Sequence, residues 1–184
     1  MRRPISLLVL ALALGLVPAS AHAVGIGIGG YGGVSIPIVQ EDVKSGSTYG
    51  VRVPIGLIPL ISIEPFYSGS NLGDAEETLG GVTYTRDGFQ NTTFGVNAIL
   101  GSIASAPGIK FYPYVGIAST QLTRSGSADI KEVSYNFGFG AGLGLVHSLS
   151  VHGRAELNMV KTDETSRKFG NLTIGLHYNL FSKL

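Results

Sequence analysis

Large apolar residues recur at every second position over most of this sequence, and a period of two is the period of a β-strand, whose successive side chains point to opposite faces. The last segment shows it plainly. Leu172, Ile174, Leu176, Tyr178 and Leu180 share one parity, and Asn171, Thr173, Gly175, His177 and Asn179 share the other. The preceding segment repeats the pattern, with Leu149, Val151, Leu157 and Met159 opposing Ser150, His152, Arg154, Glu156 and Asn158. Further segments of the same kind begin near Val24, Tyr49, Ile61, Thr93, Ile109 and Val133, which makes eight in all. Each is about nine to thirteen residues long, the length a tilted strand needs to cross a bilayer. No later stretch holds the 18 consecutive apolar residues of a transmembrane helix.

The connections between segments alternate in length. Short turns fall near Ile58-Pro59, between Ala104 and Gly108, and at His147-Ser148, whereas longer polar stretches cover residues 38–47, 69–90, 121–131 and 161–167. Short turns on one side and long loops on the other are the arrangement of a transmembrane barrel. An even number of strands puts both ends of the barrel on the short-turn side.

Composition decides which parity faces outward. Charged residues are only 14% of the chain, against about 25% in ordinary soluble domains, and Gly is 27 of 184. The apolar parity is bulky, while the other is Gly, Ser, Thr and Asn with a few charges. Bulky side chains from eight strands would overfill a small barrel, and a glycine-rich exterior would leave a soluble protein poor in charge. Turned inside out, the same residues fit: an apolar band meets lipid and a polar interior fills a narrow bore. Tyr49, Tyr67, Phe111, Tyr135 and Tyr178, near strand ends on the apolar parity, suit the interfacial girdles of such a barrel. The fold expected is therefore an all-β, eight-stranded antiparallel up-and-down transmembrane β-barrel.

The N-terminus reads as a cleaved signal peptide. Arg2-Arg3 supply the positive end, Leu7 to Val17 the apolar stretch, and Ala21-His22-Ala23 the small-x-small cleavage site. This divides the chain into residues 1–23, the signal, and residues 24–184, the barrel domain. Without Arg2 and Arg3 the balance is 11 basic against 12 acidic residues, so nothing marks a nucleic-acid partner. Cys is absent, which excludes disulfides, a thiolate nucleophile and a cysteine-based metal site.

Motifs that elsewhere carry chemistry have plainer readings here. Gly27-Ile28-Gly29-Gly30-Tyr31-Gly32 satisfies a dinucleotide-binding pattern but lies inside a strand, with no helix following. His152 and His177 point inward on neighbouring strands, and two histidines without a third ligand make no metal site. The order of His147, Ser148, Ser150 and His152 lacks the His-x-Ser spacing of outer-membrane lipid A deacylases. No cofactor, metal or catalytic residue is expected. The inward parity instead predicts a polar lumen network of Arg52, Glu64, Lys110, Tyr112, Tyr114, Arg154, Glu156, His152 and His177. Unpaired charges in a narrow bore are costly, so Arg52 and Glu64 are expected to meet across the first hairpin. Glycines on the same parity should make room for the large side chains.

The export signal, the eight alternating segments and the loop pattern resemble the small bacterial outer-membrane barrels of the OmpA transmembrane-domain and OmpX/Ail type. That resemblance implies residence in the bacterial outer membrane, contact with its lipid and lipopolysaccharide, and passage through the barrel assembly machinery. Relatives usually end on an aromatic residue; this chain keeps Leu176-x-Tyr178-x-Leu180 and places Phe181 three positions before its last residue. The expected protein is a monomer with a closed polar lumen, in a structural or surface-interaction role carried by its extracellular loops. Tyr84, Arg86 and Phe89 in the longest loop are the candidate contacts with an extracellular partner, and Val82-Thr83-Tyr84-Thr85 there has the composition of a strand extension. Two other readings compete: a lipid-modifying enzyme, and a soluble exported barrel that binds a hydrophobic ligand.

Overall fold

The structure, a computed structural model, describes residues 25–38, 43–58, 60–101, 108–126, 129–146, 148–161 and 166–182. The expected signal peptide, Pro59 and His147 lie outside them.

Among the described residues ten strands build a single closed wall with one protruding hairpin. They are β1 (Gly25–Pro37), β2 (Val43–Arg52), β3 (Ile55–Ile58), β4 (Ile61–Leu79), β5 (Val82–Arg86), β6 (Gln90–Leu100), β7 (Gly108–Thr123), β8 (Ile130–Val146), β9 (Leu149–Lys161) and β10 (Ser166–Ser182). Neighbours in sequence pair antiparallel around the wall, and β10 returns to pair with β1, which closes it. Closure satisfies the backbone groups that an open edge would leave bare in hydrocarbon.

β2 and β3 are one stave of this wall, so the barrel has the eight staves expected. The break falls at Val53-Pro54, where proline has no N–H to give the ladder. The wall still holds across it: the Val53 N–H donates to the Pro65 carbonyl at 2.9 Å, and the Gly27 N–H donates to the Pro54 carbonyl at 3.0 Å.

Residues 69–90 are a hairpin rather than a loop. β4 continues to Leu79 and pairs with β5 through a two-residue turn, Gly80-Gly81, with φ of 61° and 83°. Two successive positive φ values suit the turn whose twist matches paired strands, and only glycine adopts them without strain. The strand extension expected at Val82–Thr85 is thus present. At 19, 17 and 17 residues, β4, β8 and β10 are also longer than a bilayer crossing requires.

The apolar parity faces out. Phe94, Phe111, Val115, Leu143 and Leu176 are all exposed, while Thr93, Tyr112, Asn136 and His177 on the other parity are buried. Leu176 is 56% exposed and its neighbour His177 is 3% exposed. That distribution cannot stand in water over a whole circumference, and it overturns the reading as a soluble barrel with a greasy interior.

Candidate functional site

The lumen holds the polar side chains expected to form a network, and alternation along each stave puts them there. Its centre is Glu64, fully buried on β4. Arg154 on β9 reaches across the bore and grips both Glu64 oxygens, Nη1 to Oε1 and Nη2 to Oε2, each at 2.6 Å. This two-pronged pairing is the strongest geometry available to arginine and carboxylate. Asn97 on β6 donates to Glu64 Oε1 at 3.1 Å and accepts in turn from Asn136 on β8.

The network runs from this pair in both directions along the bore. Arg154 Nε donates to the Tyr112 hydroxyl at 3.1 Å, which bonds His152 Nδ1 at 2.8 Å, and His152 Nε2 bonds Ser150 Oγ at 2.8 Å. His177 packs edge-on against His152, 4.9 Å between ring centres. Toward the long-connection end, Tyr114 donates to Glu156 Oε2 at 3.0 Å, and Asn158 to Glu156 Oε1 at 2.9 Å. Beyond them, hydroxyls bond one another across the wall: Thr93 with Thr120, Thr120 with Ser134, and Ser70 with Thr48.

Glycine makes this filling possible. A Cβ on Gly140 would stand 2.3 Å from the Tyr112 ring, and one on Gly138 2.2 Å from the Tyr114 ring. Both rings therefore pack against bare backbone of the neighbouring stave β8. The space enclosed by Tyr31, Arg52, Glu64, Tyr114, Arg154 and Glu156 is about 10 Å³, no more than one water needs.

A second filling lies toward the long-connection end. Val43, Leu72, Phe89, Leu122, Val160 and Phe169 form a buried apolar cluster inside the wall, with the Arg167 guanidinium 5.0 Å from the Phe89 ring. Among the described residues the bore is thus filled at two levels, by an ionic layer and by an apolar plug.

Most of the expected network is brought together. Arg52, Glu64, Tyr112, Tyr114, Arg154, His152 and His177 are buried within the wall, and Glu156 is half-buried but engaged. Lys110 is half-buried near the short-turn end, opposite Gly142. The pairing of Arg52 with Glu64 across the first hairpin is corrected. The register sets Arg52 opposite Phe66 and Glu64 opposite Asn97; Glu64 is taken by Arg154, and the Arg52 guanidinium lies 4.2 Å over the Tyr31 ring. A register two residues away from the one that would set Arg52 opposite Glu64 keeps parity but not partnership.

Phe89 is also corrected: it is 5% exposed, in the apolar plug, and unavailable to an outside partner. Tyr84, on β5, is 58% exposed as expected. The side chain of Arg86 lies outside the described residues. Reasoning from the sequence missed Tyr31, Asn97, Asn136 and Ser150, which share the inward parity but carry no charge to draw notice. It also missed the plug, whose members except Val43 lie on the inward parity continued toward the long connections.

Chemically the described side chains form a hydrogen-bonded filling of the bore. The chain Ser150–His152–Tyr112 has the hydrogen bonds of an activated nucleophile, yet Ser150 and His152 are buried inside the wall, away from any acyl chain outside it. Among the described residues no group of three or more His, Asp or Glu could hold a metal ion.

Comparison with known proteins agrees with this architecture. The family model of the outer membrane protein beta-barrel domain matches residues 6–179. No curated protein sequence matches the chain. Among solved structures it is similar to neisserial surface protein A, with a TM-score of 0.63 and 13% identity over 85% of this chain and 97% of that one. It is similar to the N-terminal β-barrel domain of Pseudomonas aeruginosa OprF, at 0.56 and 14% over 85% and 98%. A third is Ail of Yersinia pestis in complex with the heparin analogue sucrose octasulfate, at 0.52 and 14% over 85% and 97%. At such identities the likeness is one of fold.

Proposed function

The chain belongs to the outer membrane protein β-barrel domain family and resides in the bacterial outer membrane, and from that premise we propose a closed, non-catalytic barrel acting through its outward ends. The observation that carries this reading is the double filling of the bore. The Glu64–Arg154 layer and the Phe89–Phe169 plug fill the bore at two levels among the described residues, and an eight-stranded wall leaves little room for a solute path beside them. Surface recognition then falls to what projects beyond the bilayer, above all the β4–β5 hairpin with exposed Val82 and Tyr84. Long connections of such barrels face the cell exterior, and specificity on rigid scaffolds is carried by such projections.

Removal of residues 1–23 on export, insertion by the barrel assembly machinery and a monomeric state complete the proposal. Mature protein whose N-terminal sequence begins at Val24 is the expected result. Deletion of residues 75–86 should leave a heat-modifiable, folded barrel that has lost binding to host or neighbouring-cell surfaces. A deletion mutant that keeps every surface phenotype, or steady single-channel steps from the intact barrel, would contradict the reading.

A further inference from the structure

The outer wall carries a shallow apolar groove of about 430 Å³ over β4, β6, β7 and β8. The strand register explains its shape. Ile63, Ala98, Val115 and Phe137 are cross-strand partners in one row, and Ala98 is the low point of that row because it has a methyl group where its neighbours have branched or aromatic side chains. Ile117 and Tyr135, partners in the next row toward the long connections, form the upper wall.

Its height in the membrane is legible from β7. Outward residues on that strand are apolar from Ile109 to Ile117 and polar at Ser119, Gln121 and Thr123. On β7 and β8 the groove therefore reaches the top of the apolar band, just below the head-group level of the outer leaflet, while on β4 and β6 it descends to Ile63 and Ala98, two residues from Ile61 and Leu100 at the short-turn end. Lys131 is exposed on the outward parity of β8, four residues above Tyr135 and opposite Gln121, whose amide is bonded to Asp129. It sets a positive charge where lipid head groups lie.

We propose that this groove seats one acyl chain of an outer-leaflet lipid whose anionic head group meets Lys131. In hydrocarbon there is no hydrophobic drive to close a hollow, and its lining gains only the dispersion contacts of whatever fills it. A flexible chain conforms to the hollow. A second copy does so poorly, because a two-fold axis through the groove would set hollow against hollow. The groove is also continuous with the lipid-facing belt, so a chain enters it sideways without crossing protein.

The test uses the folded barrel in mild detergent, equilibrated with lipid A and read by native mass spectrometry. One retained lipid A per chain is expected, with occupancy falling at least tenfold in Ala98→Phe and unchanged in Leu172→Phe, which alters the opposite side of the wall. Lys131→Gln should reduce lipid A occupancy while leaving retained phosphatidylethanolamine as it was. Equal occupancy in Ala98→Phe overturns the proposal, as does a dimer of the intact chain that Ala98→Phe dissolves. Lipid A retention untouched by Lys131→Gln overturns the head-group assignment.

Discussion

Glu64 and Arg154 show how a charge survives in a bore with almost no water. Each is desolvated, and each is repaid only because the other is held in two-pronged geometry, with Asn97 and Tyr112 satisfying further positions. Removing one partner strands the other. Glu64→Ala should therefore destabilise the barrel by about 3–5 kcal/mol, the cost of an uncompensated buried charge, measured as a lower denaturant midpoint in detergent. Replacing both, as Glu64→Leu with Arg154→Met, should recover most of that loss, because no charge is then left alone; a double variant as unstable as the single one would contradict the argument. Gly140→Ala tests the opposite limit, excess volume. Its methyl group would drive into the Tyr112 ring, which His152 and Arg154 hold in place, and overpacking of this kind costs about 1–3 kcal/mol. Circular dichroism melts of Gly140→Ala beside Gly153→Ala, whose Cβ would meet nothing within 4 Å, separate crowding from a general effect of losing glycine.

Four register shifts interrupt the staves among the described residues, and two of them redirect side chains at the ends of the barrel. The β2 stave carries a register shift between Lys44 and Ser47, so Val43 turns inward although its odd number puts it out of step with Thr48 and Arg52. That bulge lets Val43 join the apolar plug. The last strand carries another, opposite Ile26 and Gly27: Asn179 pairs with Gly27 and Phe181 with Ile26, leaving Leu180 as the extra residue. Both Leu180 and Phe181 are consequently exposed, so an aromatic side chain faces outward near the end of β10. The plug itself is a packed core in miniature. Phe89→Ala with Phe169→Ala should cost about 3–5 kcal/mol per truncation if the space stays open. Planar-bilayer recordings should still show no steady conductance, because the Glu64–Arg154 layer remains. Conductance in this double variant would mean that the ionic layer is no seal.

For the whole molecule, orientation decides everything else. Leu176 stands in the middle of the apolar run on β10, and Leu176→Arg should cost about 2–4 kcal/mol, as arginine does near the midplane on the lipid face of a barrel. Thr173→Ser on the other parity should be nearly silent. The comparison is made by unfolding in phospholipid vesicles, and equal effects on the two faces would be inconsistent with a lipid-facing belt. Much of this was written in the chain. Alternation at Leu172–Leu180 and its seven counterparts determined strand number, parity and hence which side chains meet lipid, since side-chain direction in an unbulged strand depends only on odd or even position. Gly138 and Gly140 likewise announced the room needed by large neighbours. Pairing across the bore was settled only by the closed fold. Glu64 meets Arg154, 90 positions away, rather than Arg52, because closure and stagger bring distant staves face to face, while a hairpin register can slide by two residues without disturbing parity. For the same reason Phe89 reads as a loop residue along the chain and becomes part of the plug in the barrel: which residues close a bore depends on how far the wall extends beyond the membrane, a property of the assembled staves and of no single one.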